Sequence, residues 1–325
     1  MAQSWFADPE LMTTAFSVSH VWNNLSKHAD SLVYAHLDEV VLVNAAVTPC
    51  VAQKLPVAEK AFVHQVRICQ LGHAEYIVVA SDNGVQIYDA AGEHSLHDIV
   101  LKDVVDAPEE GSALFCRGIA SANSEKPVIL VGTSVGKVFV IGKDIGAKSG
   151  SGQEFELLDT LGDHKHSITT IDAVKAGTAI ASGDDEGTIL VRNAEETFEV
   201  VHRITGDGFP VTSLRFCADT WLLAGYLTGR LRIFKKETFR VHAEVAAHSR
   251  AITALDVWEN HVVSVGEDTF LNVWELSGCK VSPRIKLVSS QSVANDLLSG
   301  VAFAGLKHII TATYDTTHLK LWLPE

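Results

Sequence analysis

Ala247-His248-Ser249-Arg250-Ala251-Ile252-Thr253-Ala254-Leu255-Asp256, continued by Ser264-Val265-Gly266-Glu267-Asp268-Thr269-Phe270-Leu271-Asn272-Val273-Trp274-Glu275, reads as short strands separated by turn residues. Apolar positions alternate with period two, the mark of half-buried strands. The same hairpin ending, tracked by the slot of Trp274, recurs at Asn44, Tyr88, Ile141, Arg192, Phe234 and Trp322, at spacings from 40 to 53 residues. Lys137–Ile141 and Arg230–Phe234 alternate in the same way. Ser81–Gly84 and Gly183–Gly187 supply the αL-tolerant residues that tight hairpins require. Seven markers near a period of ~40–45 residues fit seven four-stranded units of a repeat fold. The single segment expected to be helical is Ser292–Leu298.

Within the quoted stretch, His248, Ser264, Asp268 and Trp274 can satisfy one another as one buried chain of imidazole, hydroxyl, carboxylate and indole N–H. These four residues resemble the structural tetrad of the WD-repeat β-propeller family. Other units match in part. One keeps His164 and Ser182 but has Glu186 and Arg192 in the last two slots. The next has Ala224 and Thr228, and the last has Thr316 for the aspartate. The resemblance implies an all-β, seven-bladed WD40-type β-propeller, with residues 1–325 as one domain. Only Leu323-Pro324-Glu325 follow Trp322, so the last blade needs an outer strand from elsewhere. Residues 1–20, around Leu11–Val18, are expected to supply it and close the ring. Shorter blocks narrow the resemblance to one branch of the family: Asn23–Ser26, Gly84–Asp89, Arg117–Ala120 and Ala224–Tyr226. That branch implies a non-catalytic, cytoplasmic protein–protein interaction scaffold with a link to cilia or signalling complexes.

Composition narrows the function classes. The 325 residues are 47% hydrophobic and 20% charged, which is globular and too apolar for a disordered tail. The net charge of −14 lacks the basic footprint of a nucleic-acid binder and disfavours anionic membranes. No apolar run approaches the ~18 residues of a membrane helix. Cys50, Cys69, Cys116, Cys217 and Cys279 show no C-x-x-C spacing and read as free thiols of a reducing compartment. Asp8 and Glu10 stand where a signal peptide would be apolar, so the chain reads as intracellular and the sequon Asn24-Leu25-Ser26 as chance. No cofactor is expected.

Motifs with catalytic overtones have simpler structural readings. Gly132-Thr133-Ser134-Val135-Gly136 matches G-x-S-x-G, and a serine hydrolase using Ser134 is the alternative function. A nucleophile elbow must open a helix, however, and Lys137–Ile141 alternates as a strand. Gly142–Ser149 nearly matches a phosphate loop but has Ala147 in a glycine slot, and reads as part of an insertion over 142–154. His164-Lys165-His166 with Asp184-Asp185-Glu186 could be drawn as a metal site, but a tetrad histidine and a solvated turn account for them. A second insertion, 102–112, is acidic (KDVVDAPEEGS). It reads as a solvated connector, with docking of a basic partner as the alternative. The expected partner face carries Arg250, Glu267, Lys165, Asp185, Phe209, Tyr226 and Arg117, because exposed arginine and aromatic side chains are enriched in binding hot spots.

Overall fold

The computed structural model describes residues 5–47, 49–56, 60–105, 112–143, 155–174, 177–194, 197–218, 220–277, 284–293 and 295–325. Seven four-stranded antiparallel sheets form the blades of a β-propeller. The first strand, β1 (Glu10–Thr13), belongs to the last blade. Blade 1 holds β2 (Ser26–His28), β3 (Ser31–His36), β4 (Glu39–Asn44) and β5 (Val51–Lys54). Blade 2 holds β6 (Val63–Leu71), β7 (Ala74–Ser81), β8 (Gly84–Asp89) and β9 (Ser95–Val100), followed by the one-turn helix α1 (Leu101–Val104). Blade 3 holds β10 (Cys116–Ala122), β11 (Val128–Thr133), β12 (Val138–Lys143) and β13 (Phe155–Leu161). Blade 4 holds β14 (Ile168–Ala173), β15 (Ala179–Asp184), β16 (Ile189–Asn193) and β17 (Val200–Ile204). Blade 5 holds β18 (Val211–Cys217), β19 (Trp221–Tyr226), β20 (Arg230–Lys235) and β21 (Val241–Ala246). Blade 6 holds β22 (Ile252–Trp258), β23 (His261–Gly266), β24 (Phe270–Ser277) and β25 (Arg284–Ser292). Blade 7 holds β26 (Leu298–Gly305), β27 (His308–Thr313) and β28 (His318–Trp322), and takes β1 as its fourth strand.

The chain divides into two compact units. One comprises Met1–His36, Val43–Gln53 and Thr212–Glu325, and the other Leu37–Leu42 and Lys54–Val211. In the first unit the expected closing strand is in place. β1 pairs antiparallel with β28, from Glu10 opposite Leu321 to Thr13 opposite His318. Phe6 bridges Pro324 and packs its ring 6.2 Å from that of Trp322, so the N-terminal segment is held by side chain as well as backbone.

Burial explains the sequence pattern. Every residue of β11 and β19 is buried, because a middle strand of a stacked blade has protein on both faces. Outer strands such as β17 are largely exposed. Ile99, Ile129, Phe139 and Phe155 share one core between blades 2 and 3, and Leu223, Leu255, Val262 and Trp274 share another between blades 5 and 6. Innermost strands also carry ion pairs. Arg67 reaches across blade 3, donating to Ile119 O at 2.7 Å and to Asp172 Oδ1 at 3.0 Å. In the other unit Arg215 Nε lies 3.8 Å from Asp256 Oδ1.

Two recurrent slips in register shape the blades. Pairing between the third and fourth strands shifts by one residue at Tyr88, Ile141, Arg192, Phe234 and Trp274. The marker slot is therefore a β-bulge site, where a strand bends. In blade 1 the marker residue Asn44 is not buried, while its neighbour Val43 is. Asn44 is exposed, and its side chain accepts from the Ala46 N–H. The second slip lies between the first and second strands, at His64, Arg117–Gly118, Thr169, Thr253 and Ser299. The bulged Thr169 and Thr253 hydroxyls donate to the next blade's innermost strand, at Val211 O and Leu298 O.

Expectations for two segments need revision, and a third lies almost wholly outside the described residues. Over 292–298 the described residues form no helix: the segment turns at Asn295, with Val293 N donating to Thr269 O. The connector 102–112 begins as α1, with Leu101 and Val105 buried rather than solvated, while 106–111 lie outside the described residues. Of the expected insertion 142–154, residues 144–154 likewise lie outside them.

Candidate functional site: polar clusters at the strand-two turns

In blade 6 the four tetrad residues form one chain. Trp274 Nε1 donates to Ser264 Oγ at 3.0 Å, Ser264 Oγ lies 2.8 Å from His248 Nε2, and His248 Nδ1 lies 2.8 Å from Asp268 Oδ1. A carboxylate only accepts, so Nδ1 carries a proton and donates to Asp268, while the indole donates to the serine.

Blade 4 builds the same linkage differently. His164 lies 2.8 Å from Ser182 Oγ, but its carboxylate partner is Asp184, at 2.9 Å, and not Glu186. Asp184 opposes Ile168 just as Gly266 opposes Ile252, so the two occupy one slot. An aspartate there places its carboxylate at the imidazole two residues earlier than Asp268 does. Glu186 is left exposed, and its N–H donates to Asp184 Oδ1. Arg192, in the tryptophan slot, does not donate to Ser182. It donates to Asp163 Oδ2 at 2.7 Å and to Phe198 O at 3.1 Å. Blade 7 keeps only a pair, Trp322 Nε1 to Thr311 Oγ1 at 3.0 Å. The histidines, serines and tryptophans of these links, with Asp184 and Thr311, are buried and bonded to one another, so they hold strands together and are not offered to ligands. The same holds for Asn24 of the sequon, which is fully buried and bonded to Ser19 O and Ala35 O.

The face proposed for partners resolves into one cluster in each unit. In the unit of blades 2 to 4, the residue after the second strand is Asp82, Ser134 and Asp185 in turn. Each meets a group from an inner strand or its approach. His64 Nε2 lies 2.7 Å from Asp82 Oδ1. Ser134 Oγ accepts from Phe115 N at 3.1 Å. Arg117 interacts electrostatically with Asp185. The Arg117 guanidinium lies 5.5 Å from the Phe115 ring centroid, His64 stacks on the same ring at 4.3 Å, and Phe62 stands edge-on to His64 at 5.1 Å.

Burial pulls the Arg117 pKa down to about 10, against the pull of Asp185. Burial and then Asp184 push the Asp185 carboxyl up, partly offset by His166 and Arg117. His64 is pulled down by burial despite Asp82. The cluster thus holds an arginine short of water beside an aromatic ring, within electrostatic reach of a carboxylate.

In the other unit Glu267 stands 3.8 Å from both Arg250 Nε and His20 Nε2, and the His20 ring tilts against Tyr314 at 5.3 Å. The structure therefore brings Arg250 to Glu267 and sets Arg117 within electrostatic reach of Asp185. Lys165 and Phe209 are exposed but belong to neither set of contacts. Tyr226 does not belong on a partner face: it is 2% exposed, with the Arg232 guanidinium 4.6 Å from its ring centroid. It fills the slot of Asp184 and Gly266, which points inward. Sequence reading missed Phe62, His64, Asp82, Phe115, His20 and Tyr314. His64 and Arg117 sit at the inner bulge that holds Thr169 and Thr253 elsewhere, and aligning blades on that slot would have found them.

Ser134 lies in a turn between β11 and β12 and opens no helix. Its hydroxyl is engaged by Phe115 N, and among the described residues no histidine is hydrogen-bonded to it. Among the described residues no group of three or more His, Cys, Asp or Glu side chains could hold a metal ion. Among the described residues no helix is long and apolar enough to cross a membrane.

Comparison with known proteins follows the same lines. The WDR54 family model matches residues 31–321. The chain belongs to the WDR54 family. Human WD repeat-containing protein 54 is 31% identical over 268 residues, covering 79% of this chain and 77% of the human protein. The mouse WD repeat-containing protein 54 is 32% identical, over 66% of this chain and 63% of its own length. Among solved structures, a chain of a mitotic checkpoint complex superposes with a TM-score of 0.76 at 17% identity, covering 100% of this chain and 98% of that one. At that identity the likeness speaks for the β-propeller fold alone.

Proposed function

We propose that this chain is a non-catalytic scaffold that binds other proteins or peptides through its strand-two turns. The observation carrying this reading is the Phe62–His64–Phe115–Arg117–Asp185 cluster. It presents an exposed phenylalanine, Phe62, against His64, which stacks on the Phe115 ring that also meets the partly desolvated Arg117. Such anchors dominate binding energy, because little further desolvation is needed on docking. The family supports the same reading, since WD-repeat propellers are generally interaction modules. The proposal places the protein in the cytoplasm, within a ciliary or signalling assembly, which imaging of the tagged protein would test.

The test is affinity purification with mass spectrometry on wild type, F62A/R117A and R250A/E267A. Loss of specific partners from either variant supports the reading, and identical partner lists from all three reject this face. A fluorophosphonate probe that labels Ser134 in wild type but not in S134A would reject the non-catalytic reading.

A further inference from the structure

A groove of about 370 Å³ lies between the outer strands of blades 2 and 3, and its α1 end adjoins the strand-two turn of blade 2, where Leu101 N donates to Asn83 O. It is lined by β9, β13 and α1. That volume is at the lower end of ligand sites. Its floor is the shared core of the two blades, Ile99 and Phe155, with Leu157 packed against that core. Val100 and Val104 stand on one wall, 40% and 38% exposed. A connector that was only a solvated link would have no reason to place two valines in water beside this floor.

The charged lining has one sign. Asp98, Asp103 and Glu156 face the groove, and none of the described lining residues is a lysine or arginine. Among the described residues, none of the three carboxylates enters a salt bridge. Asp98 accepts only a 3.2 Å hydrogen bond from Ser95 Oγ. The remaining titratable lining group is His97, whose pKa is lowered by burial despite Asp98, so it is neutral at pH 7 and does not offset them. The result is an apolar trough with three unneutralised anions on its rim. A cationic group entering it gains from all three and relieves their mutual repulsion. An anion, a nucleic acid or an acidic membrane surface is repelled.

We infer that this groove docks a basic segment of a protein partner, with Lys or Arg side chains against Asp98, Asp103 and Glu156 and an aliphatic side chain on Val100 and Val104. Asp103 and Val104 of α1 are then part of a second interaction surface that shares no residue with the Phe62–Arg117 cluster.

Fluorescence anisotropy on the full chain tests this, using a labelled peptide alternating Lys and Leu and its Glu/Leu counterpart. The Lys/Leu peptide should bind, and D98N/D103N/E156Q should weaken it by about tenfold. V100S/V104S should also weaken it, and more visibly at high salt, where the charge contribution is screened. A control that removes three exposed charges elsewhere, D8N/E10Q/E93Q, should bind as wild type does. The reversal D98K/D103K/E156K should take up the Glu/Leu peptide instead. Unchanged affinity in the neutralised variant, or an equal loss in the control, would overturn the assignment. F62A/R117A should leave the Lys/Leu affinity unchanged, so failure of the first surface and failure of this one are read separately. A loss there would place the peptide on the other cluster and overturn this groove.

Discussion

Ser213 Oγ donates to Asn23 Oδ1 at 2.7 Å, joining residues 190 apart in the chain. Asn23 Nδ2 donates to Thr212 O at 2.9 Å, and its backbone N–H donates to Thr253 O. One buried side chain thus ties the segment before blade 1 to the innermost strand of blade 5, while its backbone reaches blade 6. Its positive φ of 55° is one that asparagine tolerates better than most residues. N23A leaves a buried carbonyl and a buried hydroxyl short of a partner. It should cost about 2–3 kcal/mol in denaturant unfolding. The double-mutant cycle with S213A should show clear coupling; additive losses would mean the contact carries no energy.

The Trp slot of blade 4 gives a second prediction. R192A removes a guanidinium bonded to Phe198 O and Asp163, leaving a buried carbonyl and a cavity. It should destabilise by about 2 kcal/mol. R192W places an indole N–H within the register of Ser182 and frees Asp163, which is already half in water. Thermal unfolding should rank R192W well above R192A, and the reverse order would show that the slot is not equivalent to Trp274.

Acid sensitivity follows from the two histidine–aspartate links. Burial alone would raise the carboxyls of Asp184 and Asp268. The hydrogen bonds from His164 and His248 and from backbone N–H groups outweigh it, so both titrate below the ordinary range. A carboxyl depressed on folding contributes stability above its unfolded pKa of about 3.9, and that contribution is lost as pH falls through the folded value. Stability should therefore drop below about pH 4. D268N should be weaker than wild type at pH 7 but show a shallower acid limb, and parallel acid curves would contradict this.

Deleting residues 1–20 removes β1 and the buried Phe6, and bares the outer edge of β28. The melting temperature should fall by more than about 5 °C. An unchanged transition would mean that the strand contributes nothing to blade 7.

The strand order was legible because its signals are local. Alternation and turn residues survive in every blade, even where the tetrad does not. The blade 6 tetrad was legible because four residue types at fixed spacing coincide. Asp184 was not, since a carboxylate two residues nearer reaches the same imidazole nitrogen and spacing alone pointed to Glu186. Tyr226 misled because an aromatic in a turn sequence looks exposed, whereas its register turns it under Arg232. His64 and Phe115 are neighbours only through stacking of blades 2 and 3, which no single-strand pattern encodes.

The pairing of β1 with β28 also sets a timetable for synthesis. At about 5–20 residues per second, Glu10–Thr13 emerges roughly 15–60 s before His318–Trp322 exists to receive it. Through that interval the N-terminal strand is an open edge, available to chaperones or to the β28 of another copy emerging from the same message. The earliest strand made is among the last to find its place, so the protein's yield in a cell depends on how well that strand is kept waiting.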